Sequence, residues 1–336
     1  MYYVVRNWEQ TNMQAIQIEA FGNPAEVLKV VEIPDVGAPA EGEVVIALEA
    51  SPINMSDLLM ISGRYGYRPK LPSVMGTEGV GRVIAVGNRV KHLKPGDRTL
   101  VPYPAPAWAE RIKADASRLR PLPNGDVHQL AMLGINPPTA YLILTDFVTL
   151  PSGSWVIQNS ANSGVGRALI PIAKSLGLKT INVVRRDDLV AELKAIGGDV
   201  VLIDGPDLAK RVAAETGKAP IALAVDGVGD TSTTNLLGCV AEKGVHVFYS
   251  TISGKPSVVP ATQLIFRDIS IRGFWLANWF NSAKPNQITE MYDRLTPLVA
   301  SGAIHAPIAG TYRFAELAEA VAVASKNRGK ALFTVG

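Results

Sequence analysis

The chain has 336 residues, of which 47% are hydrophobic and 19% are charged, and its formal net charge at pH 7 is +3. This length suggests about two domains, and the composition excludes a disordered chain. The small positive charge forms no Lys/Arg block, which disfavours nucleic-acid binding, and no apolar run approaches the ~18 residues of a membrane span.

The single cysteine and the first residues bear on compartment and metal binding. Cys239 lies in an apolar stretch, and one thiol can form neither a disulfide within the chain nor a cysteine-based metal cluster. We predict that Cys239 is a core residue, that no metal is bound, and that the protein is cytoplasmic. Residues 1–12 precede a second methionine, Met13, and are too short and too polar for a signal peptide, which favours an extension or an early start codon.

From Met13 to about residue 134 the chain has the pattern of an all-β domain. Short apolar runs recur between turn signals, for example at 15–18, 28–31, 43–48 and 80–87. Their close spacing predicts a small barrel rather than βαβ units. One helix near 55–62, capped by Asn54 or Ser56, interrupts the strands.

From about residue 135 strands alternate with helices. Six strands are predicted, at 155–157, 180–184, 199–204, 221–226, 245–249 and 269–274. Strands joined by crossover helices predict a doubly wound parallel sheet. A helix over 285–300 follows, and the final strand near 330–335 is expected to return to the barrel domain.

The stretch from Trp155 to Ala173 predicts an anion site. It consists of a buried strand, a turn of small residues at 159–166, and a helix. The free N–H groups at such a helix start point at an anion, as in dinucleotide-binding folds. Of the three glycines in Gly-x-Gly-x-x-Gly only Gly166 is kept, because Ala161 and Ser163 occupy the other two positions. The alternative is a structural strand–turn–helix in another α/β protein.

Several motifs resemble the medium-chain dehydrogenase/reductase superfamily. Gly76-Thr77-Glu78-Gly79-Val80-Gly81 and Pro95-Gly96-Asp97-Arg98 carry this likeness. Within the superfamily, the chain is most similar to the mitochondrial-type enoyl thioester reductases, in the motifs at 52–57, 63–66, 134–141, 158–166 and 272–276. This likeness covers nearly the whole chain after Met13.

The resemblance implies an α/β fold with a GroES-like β-barrel catalytic domain and a Rossmann doubly wound parallel sheet. The catalytic domain is expected at 1–134 and 279–336, and the Rossmann NADPH-binding domain at 135–278. It also implies a homodimer that pairs through the last strand, near 269–275. Zinc-dependent members carry a histidine where this chain has Thr77, so the resemblance agrees with the prediction of no metal.

The end of the second Rossmann strand indicates the cofactor. NAD-specific folds place an acidic residue there, whereas this chain continues with Arg185 and Arg186. Two guanidinium groups suit the 2′-phosphate of NADPH, which a carboxylate would repel. The alternative is an arginine pair that faces solvent.

By resemblance, further residues line the cofactor, with Lys330 also open to interpretation as a surface lysine. These residues are Asn136, Asn162, Ser163, Gly164, Val165, Gly166, Tyr249, Ile252, Phe274, Trp275 and Lys330.

Reduction of a C=C bond beside a thioester requires hydride at Cβ and a proton at Cα, and negative charge develops on the carbonyl oxygen. A tyrosine hydroxyl, protonated at pH 7, can donate there. Tyr65 matches the catalytic tyrosine of the enoyl reductases, and its alternative role is a loop aromatic that shields the cleft. Asn54 and Thr139 are weaker candidates for orienting the substrate or the nicotinamide.

These observations predict an NADPH-dependent reductase that acts on 2-enoyl-CoA or 2-enoyl-ACP, with no nucleic-acid or membrane partner. Two alternatives stay open. One is an NADPH:quinone or α,β-unsaturated ketone reductase with the same fold. The other is an NADPH-binding protein without turnover.

Overall fold

A computed structural model describes residues 12–326 and 328–335 of the chain. It divides into two compact units, which are unit 1 (Met1–Ile135 and Ala306–Gly336) and unit 2 (Asn136–His305). The expectation for the N-terminal extension falls on residues that, except for Asn12, lie outside the described part. No helix in the described part is both long and apolar enough to cross a membrane.

Unit 1 is built mainly from strands. Its strands are β1 (Asn12–Ile18), β2 (Leu28–Pro34), β3 (Glu43–Pro52), β4 (Ser73–Val74), β5 (Val80–Val86), β6 (Arg98–Leu100), β7 (Arg111–Asp115), β14 (Ile308–Tyr312) and β15 (Lys330–Thr334). Its helices are α1 (Pro24–Val27), α2 (Met55–Ile61), α3 (Val127–Leu130) and α12 (Leu317–Ser325).

The strands of unit 1 form two sheets around an aromatic core. One sheet has the order β2-β1-β4, and the other has the order β14-β15-β3-β5-β6 with β7 paired to β3. The final strand β15 pairs antiparallel with β3, as expected from the sequence. In the core, the Phe333 ring packs edge-to-face on Trp108 at 5.2 Å and on Phe314 at 5.5 Å.

Unit 2 alternates strands and helices. Its strands are β8 (Trp155–Gln158), β9 (Lys179–Val184), β10 (Val200–Ile203), β11 (Ile221–Asp226), β12 (Val245–Phe248) and β13 (Ser270–Gly273). Its helices are α4 (Asn136–Asp146), α5 (Gly164–Ser175), α6 (Val190–Ala195), α7 (Leu208–Thr216), α8 (Asp230–Cys239), α9 (Ala261–Arg267), α10 (Leu276–Ser282) and α11 (Pro285–Ala300).

The sheet of unit 2 has the order β10-β9-β8-β11-β12-β13, and every neighbouring pair is parallel. Within the unit this is the order 3-2-1-4-5-6 of a doubly wound dinucleotide fold. Helices cover both faces, so the central strands are continuous apolar runs, and Ile157, Ile181 and Leu223 are all fully buried. The predicted fold class is confirmed.

The structure adds one helix of unit 2 that the sequence analysis left unassigned, and it moves one domain boundary. The motif at 134–141 lies largely in α4, a helix that tolerates Pro137 and Pro138 because prolines fit a first helical turn. In addition, residues 279–305 were expected in the barrel domain but belong to unit 2. Helix α11 packs against α4 and α5, and Met291 and Leu295 on its apolar face are buried.

Candidate functional site

The phosphate turn, defined here as residues 159–166, joins β8 to α5. Ser163 caps the helix, since its Oγ accepts a hydrogen bond from Gly166 N at 3.1 Å. A Cβ on Gly166 would lie 2.6 Å from Ser160 O and 2.7 Å from Ala161 Cα, so only glycine allows this close approach. The result is a helix N-terminus with small residues around it, which suits an anion.

Two predicted residues from other segments, Asn136 and Tyr249, meet the predicted residues Ser163 and Gly164 at this turn. A Cβ on Gly164 would lie 2.8 Å from Asn136 Nδ2, so the Asn136 side chain covers the helix start. The Tyr249 hydroxyl lies 3.3 Å from Ser163 Oγ. Burial raises the Tyr249 pKa to about 12, so this hydroxyl stays protonated and available as a donor.

The other residues of the turn differ in exposure. The Asn162 side chain is exposed, whereas the Val165 side chain is buried in the unit. Val165 can therefore face an anion only through its backbone N–H.

A buried polar network that the sequence analysis missed fixes the turn to its neighbours. Asp226, at the end of β11, accepts hydrogen bonds from Asn159 Nδ2 at 2.7 Å and from Thr233 Oγ1 at 2.6 Å. His246 Nε2 lies 3.1 Å from the same carboxylate, and Asn159 Oδ1 accepts from Gly227 N at 2.8 Å. Asn159 directly follows β8, Asp226 ends β11, and His246 lies within β12. Polar residues in or beside these apolar strands were the available signal.

The electrostatics of Asp226 follow from this network. Burial raises its pKa, but the hydrogen bonds from His246, Gly229, Thr233 and Asn159 outweigh burial and bring the pKa to about 2. The carboxylate is therefore ionised at neutral pH and holds three chain segments together.

The two arginines that follow β9 are exposed. Arg186 Nε forms an ion pair with Asp188 Oδ1 at 3.2 Å, and Arg185 forms no ion pair with any residue in the described part of the chain. Two solvent-facing guanidinium groups at the end of the second strand can bind a phosphate. Their position agrees with both interpretations from the sequence, a site for the 2′-phosphate and an arginine pair that faces solvent.

The remaining predicted residues of unit 2 lie at separate places. Ile252 follows β12 and is 44% exposed, and Thr139 is buried in α4. Phe274 follows β13 and packs edge-to-face on Phe147 with ring centroids 6.0 Å apart. Trp275 directly precedes α10 as its N-cap residue.

In unit 1, Tyr65 lies in the loop that follows α2. Its ring is half-buried and packs against the core cluster that includes Trp108 and Phe333. Burial raises the pKa of Tyr103, with further contributions from Tyr65 and Tyr67, so three tyrosines lie close together here. Tyr103 was not predicted, because 38 residues of sequence separate it from Tyr65.

A second unpredicted feature of unit 1 is a buried acidic cluster, defined here as Asn54, Asp57, Thr77, Glu78 and Lys330. Asn54 Nδ2 donates to Glu78 Oε1 at 2.7 Å, and Lys330 Nζ donates to Asn54 Oδ1. Asp57 accepts hydrogen bonds from Asn54 N and Thr77 Oγ1, each at 2.7 Å. Lys330 is thus a partner of buried groups rather than an exposed surface lysine.

Burial controls the charge of the acidic cluster. It raises the pKa of Glu78 to about 7 and that of Asp57 to about 6, while the Lys330 charge and the hydrogen bonds act in the opposite direction. Burial also lowers the pKa of Lys330, although both carboxylates oppose this change. The cluster therefore exchanges protons near neutral pH.

Comparison with known proteins assigns a class to this architecture. Residues 40–152 match the family model of the alcohol dehydrogenase GroES-like domain, and residues 164–296 match that of the zinc-binding dehydrogenase. The two matches and the fold together define a medium-chain dehydrogenase/reductase.

Similarity to individual proteins identifies the family within this class. The mitochondrial enoyl-[acyl-carrier-protein] reductase of Rattus norvegicus is 39% identical over 309 residues, which cover 89% of this chain and 82% of the relative. The chain therefore belongs to the family of mitochondrial-type enoyl thioester reductases.

Two solved structures agree in fold. Etr1p in complex with NADP and crotonyl-CoA has a TM-score of 0.86 at 25% identity, covering 97% of this chain and 100% of its own. A protein described as an NADPH:quinone reductase from Bacillus thuringiensis has a TM-score of 0.88 at 28% identity, with the same coverage.

One of the two matching family models is described as a zinc-binding dehydrogenase, but the described part of this chain has no group of side chains that could bind zinc. In residues 12–326 and 328–335, no three His, Cys, Asp or Glu side chains lie together as a metal site would require. Thr77 separates Gly76 from Glu78 and donates to Asp57. Cys239 is half-buried, and burial raises its pKa to about 12, which disfavours the thiolate. A metal-free enzyme stays a prediction.

Proposed function

We propose that this chain reduces the C2=C3 double bond of a 2-enoyl thioester with NADPH. The observation that carries the proposal is the 39% identity to an enoyl-[acyl-carrier-protein] reductase across 89% of the chain, which includes parts of both units. Unit 1 is then the catalytic domain and unit 2 the NADPH-binding domain.

The residues of unit 2 fit this cofactor. The N–H groups of Asn162, Gly164 and Val165 would hold its pyrophosphate at the start of α5, and Arg185 and Arg186 would hold its 2′-phosphate. Ser163 and Gly166 stay predicted cofactor contacts that shape the turn, because their own N–H groups donate to Ser160 O and Ser163 Oγ. Asn136, Tyr249, Ile252, Phe274 and Trp275 from unit 2, and Lys330 from unit 1, stay predicted cofactor contacts. When bound, NADPH supplies the hydride for Cβ.

The residues of the catalytic domain supply the remaining chemistry. The Tyr65 hydroxyl donates a hydrogen bond to the thioester carbonyl, where negative charge develops, and is the proton source for Cα. Glu78 and Lys330 hold the Asn54 side chain in place, and Asn54 stays a predicted orienting residue of this domain. Thr139, which belongs to unit 2, stays a second predicted orienting residue.

The test compares wild type, Tyr65→Phe and the matched control Tyr67→Phe, with NADPH absorbance followed in the presence of trans-2-hexenoyl-CoA. Tyr65→Phe should lose about 10²-fold in kcat, as expected when a general acid is removed, and Tyr67→Phe should lose little. A wild type without thioester turnover would refute the proposed reaction. Equal activity of all three proteins would remove Tyr65 from the mechanism.

A quinone reductase is the second candidate, because the Bacillus thuringiensis protein matches the fold at a TM-score of 0.88. A parallel assay with 1,4-benzoquinone distinguishes the two, since turnover of quinone alone favours this candidate. NADPH binding without turnover of either substrate would indicate a cofactor-binding protein without activity.

The edge of the unit 2 sheet supports a homodimer. Strand β13 is the last in the sheet order, and Ser270, Arg272 and Gly273 are exposed. On the preceding helix α9, Ile265 is 70% and Phe266 is 78% exposed. An edge strand beside exposed apolar side chains suits pairing with a second copy. Light scattering should give a dimer mass for wild type and a monomer mass for Phe266→Glu.

The cellular location is a separate prediction. The rat relative is named as a mitochondrial protein, whereas the sequence analysis predicted a cytoplasmic one. Cell fractionation of the tagged full chain tests the cytoplasmic prediction.

A further inference from the structure

The loop that carries Tyr65 is closed by one side chain. Arg68 reaches back along the loop, and its Nε donates to Gly63 O at 3.0 Å while its Nη2 donates to the same oxygen at 2.7 Å. These two hydrogen bonds join residues 63 and 68, between which Tyr65 lies. The segment 63–68, called the tyrosine loop below, therefore has its two ends joined by hydrogen bonds.

Both ends of the tyrosine loop are fixed to the core of unit 1. The Arg68 guanidinium carbon lies 5.6 Å from the centroid of the Phe21 ring, and Phe21 packs against the same core cluster as Tyr65. Gly63 has a φ of +71°, and a Cβ there would lie 3.2 Å from Phe21 Cβ. The backbone conformation and the close approach both require glycine at this end.

The charge of Arg68 serves no ion pair. In residues 12–326 and 328–335 no carboxylate lies within ion-pair distance of its guanidinium group. Instead, two of its nitrogens donate to one carbonyl oxygen, and the guanidinium carbon lies 5.6 Å from the centroid of the Phe21 ring. A lysine cannot reproduce this arrangement, because it has a single nitrogen and no planar group.

We infer that Arg68 is a positioning residue, which closes the tyrosine loop and thereby fixes the Tyr65 hydroxyl for proton donation. The inference rests on the proposed function, in which Tyr65 is the donor. A donor that must meet charge developing at one oxygen is sensitive to placement, and a displacement of ~1 Å costs roughly 10²-fold in rate. Arg68 touches neither substrate nor cofactor in this assignment.

The test is a double-mutant cycle between Arg68→Met and Tyr65→Phe in the full chain. Arg68→Met should lower kcat about 10-fold with little change in KM, since the donor is displaced but the acyl site is retained. In the Tyr65→Phe background the same change should have almost no further effect. Arg68→Lys should resemble Arg68→Met, because the charge alone is insufficient. The control is Lys70→Met, which removes an exposed positive charge two residues away and should keep wild-type kcat.

Hydrogen exchange of the peptide 62–70 supplies a readout independent of turnover. Arg68→Met should increase exchange in this peptide, and Lys70→Met should not. If wild type reduces the thioester, Tyr65→Phe is inactive and Arg68→Met is unimpaired, the inference fails while the proposed function stands. Additive losses in the cycle overturn it as well. If wild type reduces no thioester, the proposed function fails and the catalytic role of Arg68 fails with it, while faster exchange would identify a purely structural clamp.

Discussion

Replacing Lys330 by methionine tests the charge balance of the buried acidic cluster. Lys330 carries the cation that faces Glu78 and Asp57, and its Nζ donates to Asn54 Oδ1. Methionine keeps most of the side-chain volume and removes the charge. The two carboxyl groups then have no cation inside the cluster, and the effect on stability must depend on whether they are ionised.

The pH dependence follows from the raised pKa values of the carboxyl groups. A rise of the Glu78 pKa from its ordinary 4.5 to about 7 corresponds to about 3 kcal/mol. Because the folded state binds this proton more tightly than the unfolded state, the contribution to stability is complete below pH 4.5 and is lost as the pH rises to about 7. Asp57 acts in the same direction up to about pH 6.

The loss in Lys330→Met should therefore grow with pH. At about pH 8, a buried carboxylate left without its cation costs ~3–5 kcal/mol. Glu78 instead takes up a proton, which costs about 1.4 kcal/mol at one pH unit above its pKa. The lost hydrogen bond from Lys330 to Asn54 adds about 1 kcal/mol, so we expect a net loss of about 2–3 kcal/mol. At about pH 5.5, where both carboxyl groups are largely protonated, the loss should stay below about 1 kcal/mol, the worth of one hydrogen bond.

Hydrogen exchange of the α2 and β15 peptides under increasing urea measures this stability within unit 1. Lys326→Met, which alters an exposed lysine in the same part of the chain, is the control and should show no pH-dependent loss. An equal loss at both pH values would refute the reasoning, because it would mean that Lys330 contributes packing rather than charge.

Three further predictions concern unit 2. Replacement of Arg185 and Arg186 by alanine should raise the NADPH Kd about 10-fold or more and leave the NADH Kd unchanged, as titration of cofactor fluorescence would reveal; equal changes for both cofactors would contradict a 2′-phosphate site. Gly166→Ala should weaken NADPH binding, because the added Cβ would lie 2.6 Å from Ser160 O, and an unchanged Kd would show that the turn adapts. Asp226 contributes stability that is complete above its ordinary pKa of 3.8 and is lost as the pH falls through about 2, so Asp226→Asn should lose about 2 kcal/mol in urea unfolding at pH 7. A stable Asp226→Asn protein would show that the hydrogen bonds to this side chain do not need the charge.

Sequence patterns could predict the elements because local physical rules decide them. The parallel strands of unit 2 are nearly continuous apolar runs, since helices cover both faces, and such runs can be recognised without tertiary information. Helix α11 was predicted at 285–300 and occupies Pro285–Ala300, because a proline at the start and an apolar face at helical spacing define it. Its packing partner was not predictable, because the apolar face of a helix does not specify which surface it meets.

At the phosphate turn, too, part of the structure could be predicted from the sequence and part could not. Gly166 could be identified from the sequence, since the turn needs a residue without Cβ, but the network of Asn159, Asp226 and His246 could not. These three side chains come from strands that are distant in sequence, and only the sheet order β8-β11-β12 brings their ends together. Likewise, the sequence left Lys330 open between a cofactor contact and a surface lysine, and only the pairing of β15 with β3 brings it to Asn54. The sequence by itself determined the two-domain class and the strand–turn–helix that contains Gly166, and the family resemblance nominated Tyr65 as a candidate donor. Tertiary structure alone decided which polar groups are buried together, because burial and long-range hydrogen bonds depend on the packing of distant segments.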